Sequence, residues 1–456
     1  ILEGREAIGG TWDLFRYPGI RSDSDMYTLG YSFKPWTNPK SIADGPDILD
    51  YIRETATENN IDQHIRFSHH VVKADWSSET ANWLIQVLLK ETGEIKHYRC
   101  NFLFMCSGYY DYESGFTPDF EGMEKFKGTI IHPQKWPQDV DFTDDKIIVI
   151  GSGATAVTLV PQLAKTAAHV TMLQRSPTYV VSRPDVDTFS ELARKWLPES
   201  TAYWLTRWKN VLLGMFSFNY IRRNPAKAAD LIIKGVRAEL GEGYDVAKHF
   251  TPSYNPWDQR LCLVPNGDLF KSIKDGAVSV VTETIVKFTA NGILLKSGEE
   301  LDADIIVTAT GLNMQLLSGI PFTVDGVPVD FSKRVSYKGM MCDSVPNMVQ
   351  AMGYTNASWT LKCDLTCEYL CRLLNHMDRK GVSICQAVNT DPHLELEPML
   401  NFSSGYVQRM IDKFPKQGAK SPWRLHQNYA LDTLALGFGS LEDDAMVYSN
   451  PTSSVV

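Results

Sequence analysis

The residues with the clearest chemistry are Gly151, Ser152, Gly153, Ala154, Thr155 and Ala156, which follow at once on the apolar run Lys146-Ile147-Ile148-Val149-Ile150. Small residues spaced GxGxxA between a strand and a helix let a pyrophosphate approach backbone N–H groups at the helix start, where the helix dipole also favours negative charge. The helix-period stretch runs to about Ala168 with Pro161 inside it, where a kink is expected. A second strand, Val170 to Arg175, completes a βαβ unit that binds one dinucleotide.

The end of that second strand chooses between dinucleotides. An acid there takes a ribose 2′-hydroxyl, whereas an arginine takes a 2′-phosphate. This chain has Gln174-Arg175-Ser176, so Arg175 and Ser176 predict NADPH. Ile1-Leu2-Glu3 reads as the equivalent strand end of another such unit, with Glu3 as the ribose acid. Its Gly-rich loop would lie about 20 residues upstream, so the sequence is expected to be truncated at its N-terminus and to hold its first dinucleotide poorly. Two apolar strands, ending at Cys106-Ser107-Gly108 and Ala309-Thr310-Gly311, bring small residues to the ligand side of an open α/β sheet. Two dinucleotide sites are implied.

The surrounding elements must position these groups. At 456 residues the chain exceeds one core, and 43% hydrophobic residues supply large buried interiors. A net charge of −9 without long single-sign blocks argues against nucleic acid as a partner. Eight cysteines, none spaced CxxC, point to reduced thiols in a cytoplasm and away from a flavin disulfide reductase. Cys363, Cys367 and Cys371 would stripe one helix face, packed into the core, with a metal site the weaker reading. From Phe189 to Leu240 the pattern is helical, aromatic and basic; it covers a neighbouring core or lies on a membrane surface, so peripheral membrane association stays open. No apolar run is long enough to span a bilayer. A long helix is expected between Ser358 and Asp378, and a loose tail after Gly437.

Two further patterns carry a resemblance. Phe126-Lys127-Gly128, His132 and Trp136-Pro137 match FxGxxxHxxxW followed by Pro or Asp. Gly9-Gly10-Thr11-Trp12, Tyr17-Pro18-Gly19 and Asp23 match GGxW, an aromatic, Pro-Gly and a spaced Asp. Both are fingerprints of the flavin-dependent Baeyer–Villiger monooxygenases, and the chain resembles that family over nearly its whole length. The segments 12–25, 254–262 and 353–359 are similar to a mycobacterial branch of it.

The resemblance implies an α/β fold of two Rossmann-like dinucleotide-binding domains, for FAD and NADPH, with a helical insert. The expected division is an FAD-binding part at 1–140, an NADPH-binding part at 141–183, the insert at 184–250, the second NADPH-binding part at 251–312, and the second FAD-binding part with the tail at 313–456. It implies O2 and a small ketone or sulfur compound as substrates, converted by a C4a-(hydro)peroxyflavin into an ester or an S-oxide. A heteroatom-only flavin monooxygenase, or a catalytically impaired truncated flavoprotein, stays open beside it, as does association with a second copy.

Carried over by position, Glu3 meets the FAD ribose; Thr11, Trp12, Asp13, Leu14 and Asp23 line the flavin; and Val71 meets the adenine through its backbone. Arg21, Ser22 and Asp23 lie where flavin and nicotinamide meet. Arg260 matches the active-site arginine, oriented by Asp23, and His132 falls in the segment joining the domains. The family commonly has lysine just before that arginine; Gln259 stands here instead and leaves Arg175 and Ser176 to hold the 2′-phosphate. A strict preference for NADPH therefore does not follow.

Overall fold

The computed structural model of the chain describes residues 1–400 and 402–451. Five parallel strands form one sheet, in the spatial order Val278–Thr282, His169–Gln174, Lys146–Ile150, Ile305–Thr308 and Thr129–Ile131. From Ile147 to Ile150 the central strand is apolar and buried because both its faces are covered. Ile147 and Val149 pack with Leu159, Val160 and Leu163 of the helix Ala154–Leu163, while Ile148 and Ile150 turn to Phe126, Phe288 and Leu295 on the other side. This two-residue alternation is the pleat of a strand buried between layers. The central strand's neighbours lie on opposite sides, so its carboxyl end sits at the switch point where open α/β sheets bind ligands.

The helix after it ends at Leu163, not near Ala168 as expected. Pro161 removes only the N–H that Val157 O would accept, and the ladder runs on past it, with Ala164 N–H donating to Val160 O at 3.1 Å, so the helix is not broken at the proline.

Residues from both sides of this sheet in the sequence build the other half. Leu103–Met105 pairs in parallel with Met348–Gln350. A second five-stranded sheet runs Val327–Pro328, Phe322–Val324, His69–Ser77, Asn82–Leu89 and Ile95–Cys100. The helix Trp359–Lys380 drives Leu365, Tyr369, Leu373 and Met377 into the core. Cys363, Cys367 and Cys371 share its four-residue spacing but are offset by two positions, about 200° around the axis. Cys367 and Cys371 are exposed and Cys363 is half-buried, which corrects the expectation of core packing. Among the described residues no His, Cys, Asp and Glu cluster could hold a metal.

The end of the chain is also more ordered than its pattern suggests. Met446–Ser449 pairs antiparallel with Ile384–Ala387, and Leu441, Ala445 and Met446 are buried. A four-residue strand is too short to display a period, so the partner strand, distant in sequence, had to reveal it. At the front, only Leu2 forms a bridge, to Arg66, with Glu3 exchanging backbone hydrogen bonds with Arg66 and His69.

Two chain crossings join the halves, Tyr110–Gly115 and Leu312–Met314, and they pair with each other as antiparallel strands. The insert comprises the helices Thr188–Trp196, Glu199–Arg223 and Pro225–Leu240. Buried Arg207 anchors it, donating to the carbonyls of Tyr27 and Gly30 at 2.8 Å and pairing with Asp364 at 3.1 Å. Among the described residues no helix is long and apolar enough to cross a membrane.

Candidate active site

At the carboxyl end of the central strand, Gly151 has φ +138°, and a Cβ there would stand 2.3 Å from the carbonyl oxygen of Ala309. Only glycine allows the two strand ends to approach so closely. Gly153 differs: a Cβ on it would meet nothing within 4 Å, so the backbone before Ala154, Thr155 and Ala156 faces open space. No side chain caps that helix start. Ser152 binds its hydroxyl to the carbonyl of Ser176 at 3.1 Å and to Thr178 at 3.0 Å, which ties the loop to the second strand's end. Arg175 and Ser176 are exposed beside it, and Arg175 forms no ion pair among the described residues. Gln174 is instead buried, its amide donating to His249 and Thr282. Uncapped N–H groups, an open glycine and a free guanidinium form a donor set that fits the phosphates of NADPH.

Arg260 and Asp23 meet. Arg260 Nε lies 2.8 Å from Asp23 Oδ2, with 34% and 39% of the side chains exposed. Arg260 stands two residues before the strand Cys262–Pro265, which pairs with Val180–Arg183. Asp23 follows Ser22, whose N–H donates to Ala43 O and whose hydroxyl accepts from Ala43 N–H. Each partner is thus fixed by its own neighbour. Asp23 holds the guanidinium above its ordinary pKa against the opposing cost of burial, so it stays charged. It lines a cavity together with Tyr109, Met314, Trp359, Phe402 and Tyr406. Tyr109 stacks on Trp359 at 4.9 Å. Burial pushes the Tyr406 phenol up to about 12 and raises Tyr109, so both keep their protons.

The other early residues have partners of their own. Arg21, its side chain 6% exposed, binds Asp268 at 2.5 Å, across the two halves. Asp13 is buried and accepts from Arg5 at 2.5 Å and Arg16 at 2.6 Å, in the short helix Thr11–Leu14. Thr11 reaches Tyr112 at 3.3 Å, and Trp12 packs on the aromatic cluster of Tyr27, Trp36 and Tyr51. The Glu3 carboxylate accepts from Arg5 N–H at 2.9 Å. Val71 sits at a β-bulge opposite Val87.

His132 is not brought to Arg260. Its Nδ1 accepts from the Gln134 N–H, which leaves the proton on Nε2 to be donated to Gly311 O, both at 3.2 Å. Burial lowers its pKa, consistent with a neutral ring. A Cβ on Gly115 would overlap the imidazole at 1.8 Å, so glycine there makes room for it. His132 therefore pins both crossings to the edge of the five-stranded parallel sheet.

The other half also has a set of unmet groups. The helix Trp359–Lys380 begins without a side-chain cap, and just before it Asn356 donates its amide N–H to Gln427 O while its Oδ1 is buried with no partner among the described residues. An orphaned acceptor beside free backbone donors fits the imide edge of a flavin, which carries an N–H between two carbonyls. Sequence reasoning missed Asp268 and the tyrosines around Arg260. The doublet Tyr109-Tyr110, directly after a small-residue strand end, was the available signal.

The flavin-binding monooxygenase-like family matches residues 35–195. The FAD-containing monooxygenase EthA of Mycobacterium tuberculosis is 53% identical over 456 residues, covering 100% of this chain and 93% of that protein. Among solved structures, an oxidized steroid monooxygenase bound to NADP superposes with a TM-score of 0.76 at 20% identity, covering 98% of this chain and 94% of that one. An ε-caprolactone-bound cyclohexanone monooxygenase gives 0.74 at 17%, with the same coverage of 98% and 94%. The structural likeness carries the fold, and the full-length identity carries the family: this chain belongs to the FAD-containing, flavin-binding monooxygenases.

Proposed function

We propose that this chain uses NADPH and O2 to insert oxygen into ketones, giving esters, and to oxygenate sulfur in thioethers and thioamides. The observation that carries this reading is the Arg260–Asp23 pair at the wall of an aromatic and apolar cavity. FAD, once reduced by NADPH, supplies the activated oxygen.

The chain's own residues do the rest. Arg260 faces the negative charge that builds on a carbonyl oxygen under attack, and a fixed guanidinium in a dry site stabilises such charge far better than water does. Asp23 holds its orientation. The protonated phenols of Tyr109 and Tyr406 and the stacked Trp359 exclude water. Sulfur, a soft nucleophile, needs no carbonyl stabilisation and uses the same cavity. Gly151 to Ala156 cradle the NADPH pyrophosphate, and Arg175 with Ser176 holds its 2′-phosphate. Glu3, Thr11, Trp12, Asp13, Leu14 and Val71 belong to the FAD side, Asp13 as the centre of an arginine cluster that shapes it. Arg21 and Ser22 fix the loop that presents Asp23. The cyclohexanone monooxygenase neighbour binds ε-caprolactone, the ester of a cyclic ketone, and supports the same reading.

The test is incubation of the FAD-loaded protein with NADPH, O2 and a panel of ketones and sulfides. Ester from a simple ketone is the expected product, and sulfoxide with no ester would overturn the ketone half. A peripheral surface contact, with a bilayer or a second copy, belongs to the same reading: Trp204, Leu212, Phe216 and Tyr220 form an exposed row on the helix Glu199–Arg223. Vesicle flotation and light scattering separate the two partners.

A further inference from the structure

We infer that Asp432 is a positioning residue, and that the segment Gln427–Asp432 is a latch that sets one wall of the oxygenation cavity. Gly353, Tyr354 and Thr355 line that cavity with Arg260. Each tether on their loop comes from the same distant segment. Tyr354 donates its hydroxyl to Asp432 at 2.7 Å, Thr355 donates its N–H to the Gln427 side chain at 3.1 Å, and Asn356 donates its amide to Gln427 O at 2.8 Å. Lys362, on the helix that follows the loop, lies 3.6 Å from the same Asp432 oxygen and donates to Lys338 O at 3.2 Å.

The cluster is dry. Tyr354 is 1% exposed, Lys362 0% and Asp432 3%. Burial pulls the Lys362 ammonium down and the Asp432 carboxylate pulls it back up, while burial followed by Asp432 raises Tyr354, which stays a donor. A buried ion pair is poor at adding net stability, because desolvation offsets most of its attraction; an apolar pair of equal volume commonly serves as well. What it does supply is a unique arrangement. Asp432 can satisfy Lys362 and Tyr354 together only when the loop sits in one place, and that place defines the cavity wall. Gly353 narrows the choice further, since a Cβ there would stand 2.2 Å from the Trp359 ring.

The inference rests on the cavity being the substrate site proposed above, and acetophenone serves as probe for the FAD-loaded full chain. Tyr354→Phe removes one oxygen and keeps the ring, and Asp432→Asn removes the charge. In both, KM and the dialysis Kd for acetophenone are expected to rise about tenfold, as for one lost buried hydrogen bond. In Asp432→Asn, a residue outside the cavity lining, FAD content and NADPH oxidation without substrate should match the wild type. The double variant should be no worse than either single one. Unchanged KM and Kd in both variants would overturn the latch, as would loss of FAD content in parallel with activity in Tyr354→Phe, the milder change. If the wild type binds acetophenone but yields no product, the oxygenation reading fails while the Kd comparison still decides the latch.

Discussion

Arg260 and Asp23, 237 positions apart in sequence, are joined Nε to Oδ2 at 2.8 Å, and the arginine is the only cation lining its cavity among the described residues. The pairing fixes the plane of the guanidinium and leaves its other N–H groups for a substrate oxygen. Arg260→Ala should lower ester formation by about 10²–10³ while NADPH-dependent flavin reduction, followed by stopped flow, continues. Equal loss of both steps would mean a binding or folding defect. Asp23→Asn keeps the shape but not the charge, and should fall between the two.

Arg175 is exposed just past the strand His169–Gln174 and forms no ion pair among the described residues. Its removal in Arg175→Ala should reduce the ratio of NADPH to NADH efficiency by at least about tenfold, the worth of one charge-assisted contact. An unchanged ratio excludes it from the 2′-phosphate site.

The two glycines of the phosphate loop should separate in experiment. Gly151→Ala meets backbone at 2.3 Å with φ +138°, so it should destabilise the protein by more than about 1 kcal/mol in denaturant titration. Gly153→Ala meets nothing and should leave stability unchanged while raising KM for NADPH. Equal stability losses would refute the distinction.

His132 predicts a pH effect. Burial depresses its pKa in the folded protein, so the unfolded chain takes up the proton first as acid is added. Its contribution to stability is complete above about 6.5, the ordinary histidine value, and is lost as pH falls below that. Melting temperatures at pH 7.5 and 5.5 should therefore diverge more in the wild type than in His132→Gln, which still has His249 with its own lowered pKa. Parallel pH slopes would show that the ring is not held neutral by the fold.

Local chemistry was legible wherever consecutive residues had to make one shape. The run Lys146–Ile150, Gly151 and Gly153 could be read directly because strand, turn and helix start are neighbours in sequence. Arg260 and Asp23 were reached through a family resemblance, since nothing in either segment specifies the other. Arg21's tie to Asp268, the outward turn of Cys367 and Cys371, and the strand Met446–Ser449 were not legible, because each depends on which distant surface is covered. His132 was recognisable as important, but its duty follows from Gly311 and Gly115, which its own motif does not contain.

Because Tyr110–Gly115 and Leu312–Met314 are stitched together, the two halves hang on a double strap rather than two independent tethers. Tyr109 abuts one band of that strap and Met314 ends the other, and both face the cavity. Any swing of one lobe on the other would therefore reach the reaction chamber through both bands at once.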